Sequence, residues 1–187
     1  SSLYTGCKTA NEPSGTYKIL PDGIKESYWV YCDNDFQGGG WTLVAKMAKD
    51  TASQPTWYYG SDLWKTDKLI NPEEKFATKE AGQHHKNLAY NHLAFDKIRF
   101  VIGPDISQNN QIEEKSSSSA KKIFNGGSIT SQHGRGTWLS WINGFTGNQY
   151  GNQPNCNQGA IQQASNGAKC RYGFGMNNKN NCNSDDA

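Results

Sequence analysis

The chain has 187 residues, including 20 Gly, six Trp and nine Tyr, with a formal net charge of +2 and a mean hydropathy of −0.84. That length suits a single domain with a substantial core. So small a charge gives no case for nucleic acid, which needs clustered Lys and Arg, and no run approaches the roughly 20 apolar residues of a membrane-spanning helix.

Aliphatic residues are few, so the core must lean on aromatic rings, which bury more area per residue. Abundant Gly, Asn and Gln predict many loops and little helix. The start at Ser1-Ser2-Leu3 shows no signal peptide and reads as a mature or trimmed product. Five cysteines, at 7, 32, 156, 170 and 182, include no Cys-x-x-Cys pair and no zinc-finger spacing. They read as disulfide formers from an oxidising compartment, with one thiol left over.

Taken in order, the first informative stretch runs from Cys7 to Trp41. Tyr17-Lys18-Ile19-Leu20 alternates, Tyr28-Trp29-Val30-Tyr31-Cys32 is apolar, and Pro21-Asp22-Gly23 between them predicts a chain reversal. The result is a hairpin, with a Cys7–Cys32 bond tying the incoming strand to its end. Gly38-Gly39-Gly40 predicts a turn and Trp41 to Ala45 a buried strand. Residues 48–55 read as loop, and Trp57 to Trp64 as an aromatic cluster capping the core. Asn71-Pro72-Glu73-Glu74 looks like a helix start. Leu93 to Ile102, rich in β-branched and aromatic residues and ended by Gly103-Pro104, predicts a central strand. Asp105 to Ala120 is polar and is expected to supply no core, as a surface excursion or a short helix with a flexible tip. Lys121-Lys122 reads as a solvated face, with structure resuming through Phe124 and turning at Asn125-Gly126-Gly127. Trp138 to Phe145 alternates in part, and an Asn/Gln/Gly-rich region follows to Ala187. An ordered, loop-built surface of amides and rings suits sugar or acetyl-group recognition.

The residues that carry chemistry singly have plain alternatives. His84, His85 and His92 read as surface histidines flanking a strand rather than metal ligands, because no nearby acid or cysteine completes a set. Asp33 and Asp35 read as Asx-turn residues. A nucleophile reading would join Ser140 or a cysteine to His133 and an acid, yet no Gly-x-Ser-x-Gly elbow exists, so a non-catalytic chain is expected. Asp185 and Asp186, with Asn183 beside them, fit either a metal loop or a solvated chain end.

The series Cys7, Ser14-Gly15, Tyr17, Ile19, Pro21-Asp22-Gly23, Val30-Tyr31-Cys32-Asp33 and Gly38-Gly39-Gly40-Trp41-Thr42 resembles the opening of a fibrinogen-like domain, as in ficolins, tachylectins and intelectins. It covers about the first quarter of the chain. The resemblance implies an α+β fold: a mixed, mainly antiparallel sheet with short helices and a long, loop-rich C-terminal region. One domain over 1–187 is expected, with a disulfide-tied hairpin subregion at 1–45, a central sheet at 46–135 and a ligand and calcium subregion at 136–187, shorter than the family's usual length. The resemblance also implies a Cys156–Cys170 bond, while Cys170 with Cys182 stays open on loop length alone. Asn155-Cys156 resembles the step at the edge of the family's acetyl-binding pocket. The implied function is a secreted, extracellular lectin of innate immunity, binding glycans or acetylated sugars as a homo-oligomer. Its pocket residues would be Trp141, Asn155, Cys156, Tyr172 and Phe174, although Trp141 and Phe174 read equally well as core. Calcium is the implied cofactor. Residues 148–153, where the family keeps its acids, hold none, which moves the metal candidates to Asp185, Asp186 and Asn183. The alternative is a structural or adhesive extracellular module that binds protein partners or itself.

Overall fold

The computed structural model describes residues 3–10, 12–50, 53–80, 82–102, 110–146, 158–164 and 169–175. Small, mainly antiparallel sheets and a few short helices make an α+β fold. The chain forms two compact units, Ser1–Ala94 with Ser118–Lys122, and Phe95–Ser117 with Ile123–Ala187.

The first unit begins with one helical turn, α1 (Cys7–Ala10), followed by β1 (Gly15–Ile19) and β2 (Tyr28–Asp33). The two strands pair antiparallel from Gly15 opposite Cys32 to Ile19 opposite Tyr28, the hairpin that the sequence predicts. At its tip Ile24 N–H donates to the Pro21 carbonyl at 3.1 Å, and Gly23 takes the positive φ, 80°, that its missing β-carbon permits. Strict alternation turns Tyr28, Val30 and Cys32 inward. They meet Cys7, Ile19 and Ala89 in a core closed by the Cys7–Cys32 disulfide, whose Cα atoms lie 5.4 Å apart. After β2, Asp33 Oδ1 accepts from the backbone N–H of Asp35 and Phe36, the expected Asx turn.

The expected buried strand from Trp41 to Ala45 is instead two half-buried pieces. β3 (Trp41–Thr42) completes the first sheet beside β2, and β4 (Ala45–Lys46) pairs with β5 (His85–Lys86). Asn87 bridges the gap: its Nδ2 donates to the Leu43 carbonyl at 2.8 Å and its backbone N–H to that of Val44. Backbone groups that leave one sheet are thereby satisfied before the chain enters the next.

His85 is fully buried rather than a surface residue, because both ring nitrogens have partners. Asn87 Nδ2 donates to Nε2 at 3.1 Å, so Nδ1 carries the proton that it donates to the Asn71 carbonyl at 2.7 Å. The short helix expected to start over Asn71 to Glu74 is a single 3-10 turn at Glu74–Phe76, preceded by Asn71 at φ 45°. Lys86 is also buried, donating to the Leu63 and Thr66 carbonyls at 2.6 and 2.7 Å. Burial lowers its pKa to about 8. α2 (Ala89–His92) follows and adds Tyr90 to Trp57 and Trp64 of the aromatic cluster expected over 57–64. Lys46 sends its ammonium into a ring of oxygens, the carbonyls of Phe76, Thr78 and Glu80 and the Thr78 hydroxyl, at 2.6 to 3.3 Å. Lys121 pairs with Asp67, so it is not simply solvated.

The second unit opens with β6 (Ile98–Val101) and β7 (Asn110–Glu113), an antiparallel pair. The expected central strand over Leu93 to Ile102 is therefore short and has one partner among the described residues, and Val101 and Ile102 are 40% and 39% exposed. Conversely, the polar run from Asp105 contributes to the core, because Gln111 and Glu113 of β7 point inward. α3 (Ala120–Asn125) spans the division between the units. β8 (Ile129–Thr130), β9 (Gln158–Ala164) and β10 (Lys169–Gly175) then form an antiparallel sheet in the order β10-β9-β8. The segment around Trp138 is a helix, α4 (Arg135–Thr146), not an alternating strand. Its two tryptophans, three residues apart, share a face. Behind the sheet, the Gln162 carboxamide donates to the Phe124 and Gly126 carbonyls, and Arg171 donates to the Phe124 and Gln162 oxygens, closing the C-terminal end of α3.

Two outcomes follow from these contacts. Replacing Cys7 and Cys32 together by Ala should lower the unfolding free energy by about 3 kcal/mol for a closed loop of this length, read from the shift in denaturant midpoint. Burial also lowers the pKa of His85 and His92 below the ordinary 6.5. Below that value the unfolded chain takes up protons that the folded chain resists, so stability should fall as pH drops from about 6.5 towards 5. His92→Gln should make that slope shallower in urea titrations at stepped pH.

Candidate functional site

The inward face of β7 sets the centre of the candidate site. Glu113 is 3% exposed, and its carboxylate accepts from the Ser131 hydroxyl, the Gln132 N–H at 3.2 Å and the Tyr172 phenol at 3.3 Å. Ser131 Oγ in turn accepts from the Trp138 indole N–H and the His133 backbone N–H, each at 3.1 Å. A buried carboxylate is tolerable only with such a shell of donors. Burial, reinforced by the Glu113 charge and hydrogen bond, pushes the Tyr172 phenol well above its ordinary pKa, which leaves it a neutral donor.

Rings pack around this polar centre. Tyr172 stacks on Phe100 with centroids 3.6 Å apart and planes 7° off parallel. Trp138 touches Tyr172, Trp141 and Phe174 at 5.1, 5.2 and 5.8 Å. Trp138 and Phe174 are buried, while Trp141 and Tyr172 are half-buried. His133 meets the Trp141 ring edge-on at 4.7 Å, and its Nε2 donates to the Ile112 carbonyl. Close packing of β9 on Trp138 depends on Gly159, since a β-carbon there would overlap the indole.

Of the pocket residues expected from the sequence, Trp141, Tyr172 and Phe174 come together in this layer. Asn155 and Cys156 lie outside the described residues, as do the metal candidates Asn183, Asp185 and Asp186. Cys170, on β10, is half-buried, has no disulfide partner among the described residues, and burial raises its pKa; its expected partner, Cys156, lies outside them. Sequence reasoning missed Glu113, Ser131 and Phe100. The available signal was the Gln111/Glu113 alternation opposite an aromatic strand, hidden because both are polar. The Ser140–His133 pairing does not form: Ser140 Oγ donates to the Thr137 carbonyl at 2.7 Å, and the histidine is committed to Ile112. Among the described residues no group of three or more His, Cys, Asp or Glu side chains could hold a metal ion. What the layer offers is an aromatic surface backed by oriented donors and acceptors, which is chemistry for recognition.

The family of fibrinogen beta and gamma chains, C-terminal globular domain, matches residues 5–58. Over those residues the chain is similar to fibrinogen-like domains. Fibroleukin of Homo sapiens is 35% identical over 60 residues, which cover 29% of this chain and 14% of that protein. The Fibrinogen alpha-2 chain of Petromyzon marinus is 43% identical over 37 residues, covering 20% of this chain and 6% of that protein. The family match takes in the disulfide, the hairpin and the glycine turn. The aromatic layer of the second unit lies beyond it, so the fibrinogen-like likeness and the candidate site rest on different parts of the chain.

Gly159→Ala should overpack this layer and cost about 1–3 kcal/mol. Near-ultraviolet circular dichroism of the tryptophans, measured with the denaturant midpoint, checks that the loss originates there.

Proposed function

We propose that this chain is a secreted, non-catalytic carbohydrate-recognition domain of the fibrinogen-like type that binds glycans or acetylated sugars and gains avidity as a homo-oligomer. The observation that carries the reading is Trp141, a half-buried indole held edge-on by His133 and Trp138 beside the Glu113–Ser131–Tyr172 network. A rigid aromatic face flanked by fixed polar groups suits the apolar face and hydroxyls of a sugar ring. Asn155 and Cys156 are proposed to complete the pocket. Calcium would be held by Asp185, Asp186 and Asn183. The Cys7–Cys32 disulfide fits an oxidising, extracellular setting.

A second reading, a structural or adhesive module that binds protein partners or itself, is favoured by the similarity to a fibrinogen chain. Glycan arrays separate the two. The first reading expects array binding that Trp141→Ala weakens about tenfold while the melting temperature stays within a few degrees. It also expects calcium to raise that temperature, because an ion that binds only the folded state stabilises it. No glycan signal, together with concentration-dependent self-association in sedimentation, would establish the second reading instead.

A further inference from the structure

The run from Gln54 to Ile70 plays no part in the aromatic layer of the second unit, yet it encloses a half-open cleft of about 320 Å³. Thr56, Tyr58, Asp62, Lys68, Leu69 and Ile70 are among the residues that line it. Its volume falls within the range of small-molecule sites.

Tyr58 is the unusual member. Its neighbours Trp57 and Trp64 are buried, whereas Tyr58 is 43% exposed. Its backbone is nonetheless held firmly: the Tyr58 carbonyl accepts from the Trp64 indole N–H at 3.0 Å and the Ser61 N–H at 2.9 Å, and Tyr58 N–H donates to the Pro55 carbonyl. The ring lies close over Gly60, where a β-carbon would stand 3.0 Å from it. A ring carried on a hydrogen-bonded backbone, close over Gly60, is thus left partly facing water.

Beside it, Lys68 Nζ and Asp62 Oδ1 stand 3.5 Å apart, with side chains 62% and 61% exposed. A pair this open keeps bonding capacity on both partners, since an ammonium has three donor hydrogens and a carboxylate about four acceptor sites. Together the two carry no net charge, so neither an anion nor a cation is favoured over a neutral ligand. A hydroxyl group, which donates and accepts at once, answers both. Leu69 and Ile70 add apolar wall.

We propose that this cleft is a binding site for a neutral saccharide unit, with one face of the sugar ring on Tyr58 and adjacent hydroxyls donating to Asp62 and accepting from Lys68. It is a site in the first unit, independent of the Trp141 layer.

The test uses the full chain with ¹³C-labelled tyrosine and ¹⁵N-labelled tryptophan, titrated with the methyl glycosides of glucose, galactose, mannose and N-acetylglucosamine. The Tyr58 ring signals, assigned by their loss in Tyr58→Ala, should shift with at least one glycoside. Tyr58→Ala should weaken that glycoside's binding at this site about tenfold, and Lys68→Met by a smaller factor, seen by competition. Both side chains are exposed, so both variants should melt as the unaltered chain does. Tyr58 signals unmoved by all four glycosides would overturn the assignment, as would undiminished binding in both variants. The Trp141 indole signal reports separately on the other site, so failure at one is distinguishable from failure at the other.

Discussion

The covalent link between Cys7 and Cys32 is the constraint on which the first unit depends. A hairpin standing alone in water is marginal at best, and β1 and β2 offer few aliphatic side chains to anchor them. The disulfide pins the helical turn at Cys7 against the inward face of the hairpin, where Ile19 of β1 and Tyr28 and Val30 of β2 are already turned. With that face covered, Asp33 and the glycine turn can deliver β3 to the same sheet, and Asn87 can hand the chain on to the next. Removing the link would expose a small aromatic core just where later elements dock.

Both units bury polar side chains and pair them with backbone groups and with one another. Lys86 donates to two carbonyls, His85 is locked between Asn71 and Asn87, Gln162 and Arg171 close a helix end, and Glu113 gathers three donors. Each such group adds little net stability when paired and costs heavily when left unpaired. Polar cores of this sort specify one arrangement more sharply than they stabilise it, because an alternative packing strands a charge or an amide. In a chain with a mean hydropathy of −0.84, they take over part of the work that aliphatic packing does elsewhere.

How much the sequence reveals follows from the same physics. The hairpin, the turn at Gly23, the Asx turn at Asp33 and the Cys7–Cys32 pairing depend on residues close together, and all were readable. Of the cap, Trp57 and Trp64 were readable because large rings seek cover, whereas Tyr90 joins them from α2 and Tyr58 of the same run stays exposed. His85, Lys86 and Glu113 were not, since their burial is decided by partners many residues away, such as Asn71, Leu63 and Ser131. The strand over Leu93 to Ile102 was overdrawn because composition speaks to β-preference but not to the number of neighbouring strands. The helix around Trp138 went unseen because a short run of rings fits either period. For the candidate site, three of its rings were named from the sequence, whereas the carboxylate that organises them was hidden in a polar stretch.

The grip of Lys46 on the segment from Phe76 to Glu80 has one more consequence. Four oxygens converging on a single positive centre make the kind of cage that proteins elsewhere fill with a dissolved metal, here filled by an ammonium on its own four-carbon tether. A free ion leaves when it is diluted or chelated; this one cannot. The weak points of this grip are alkali, because burial lowers the ammonium's pKa, and reagents that acylate amines.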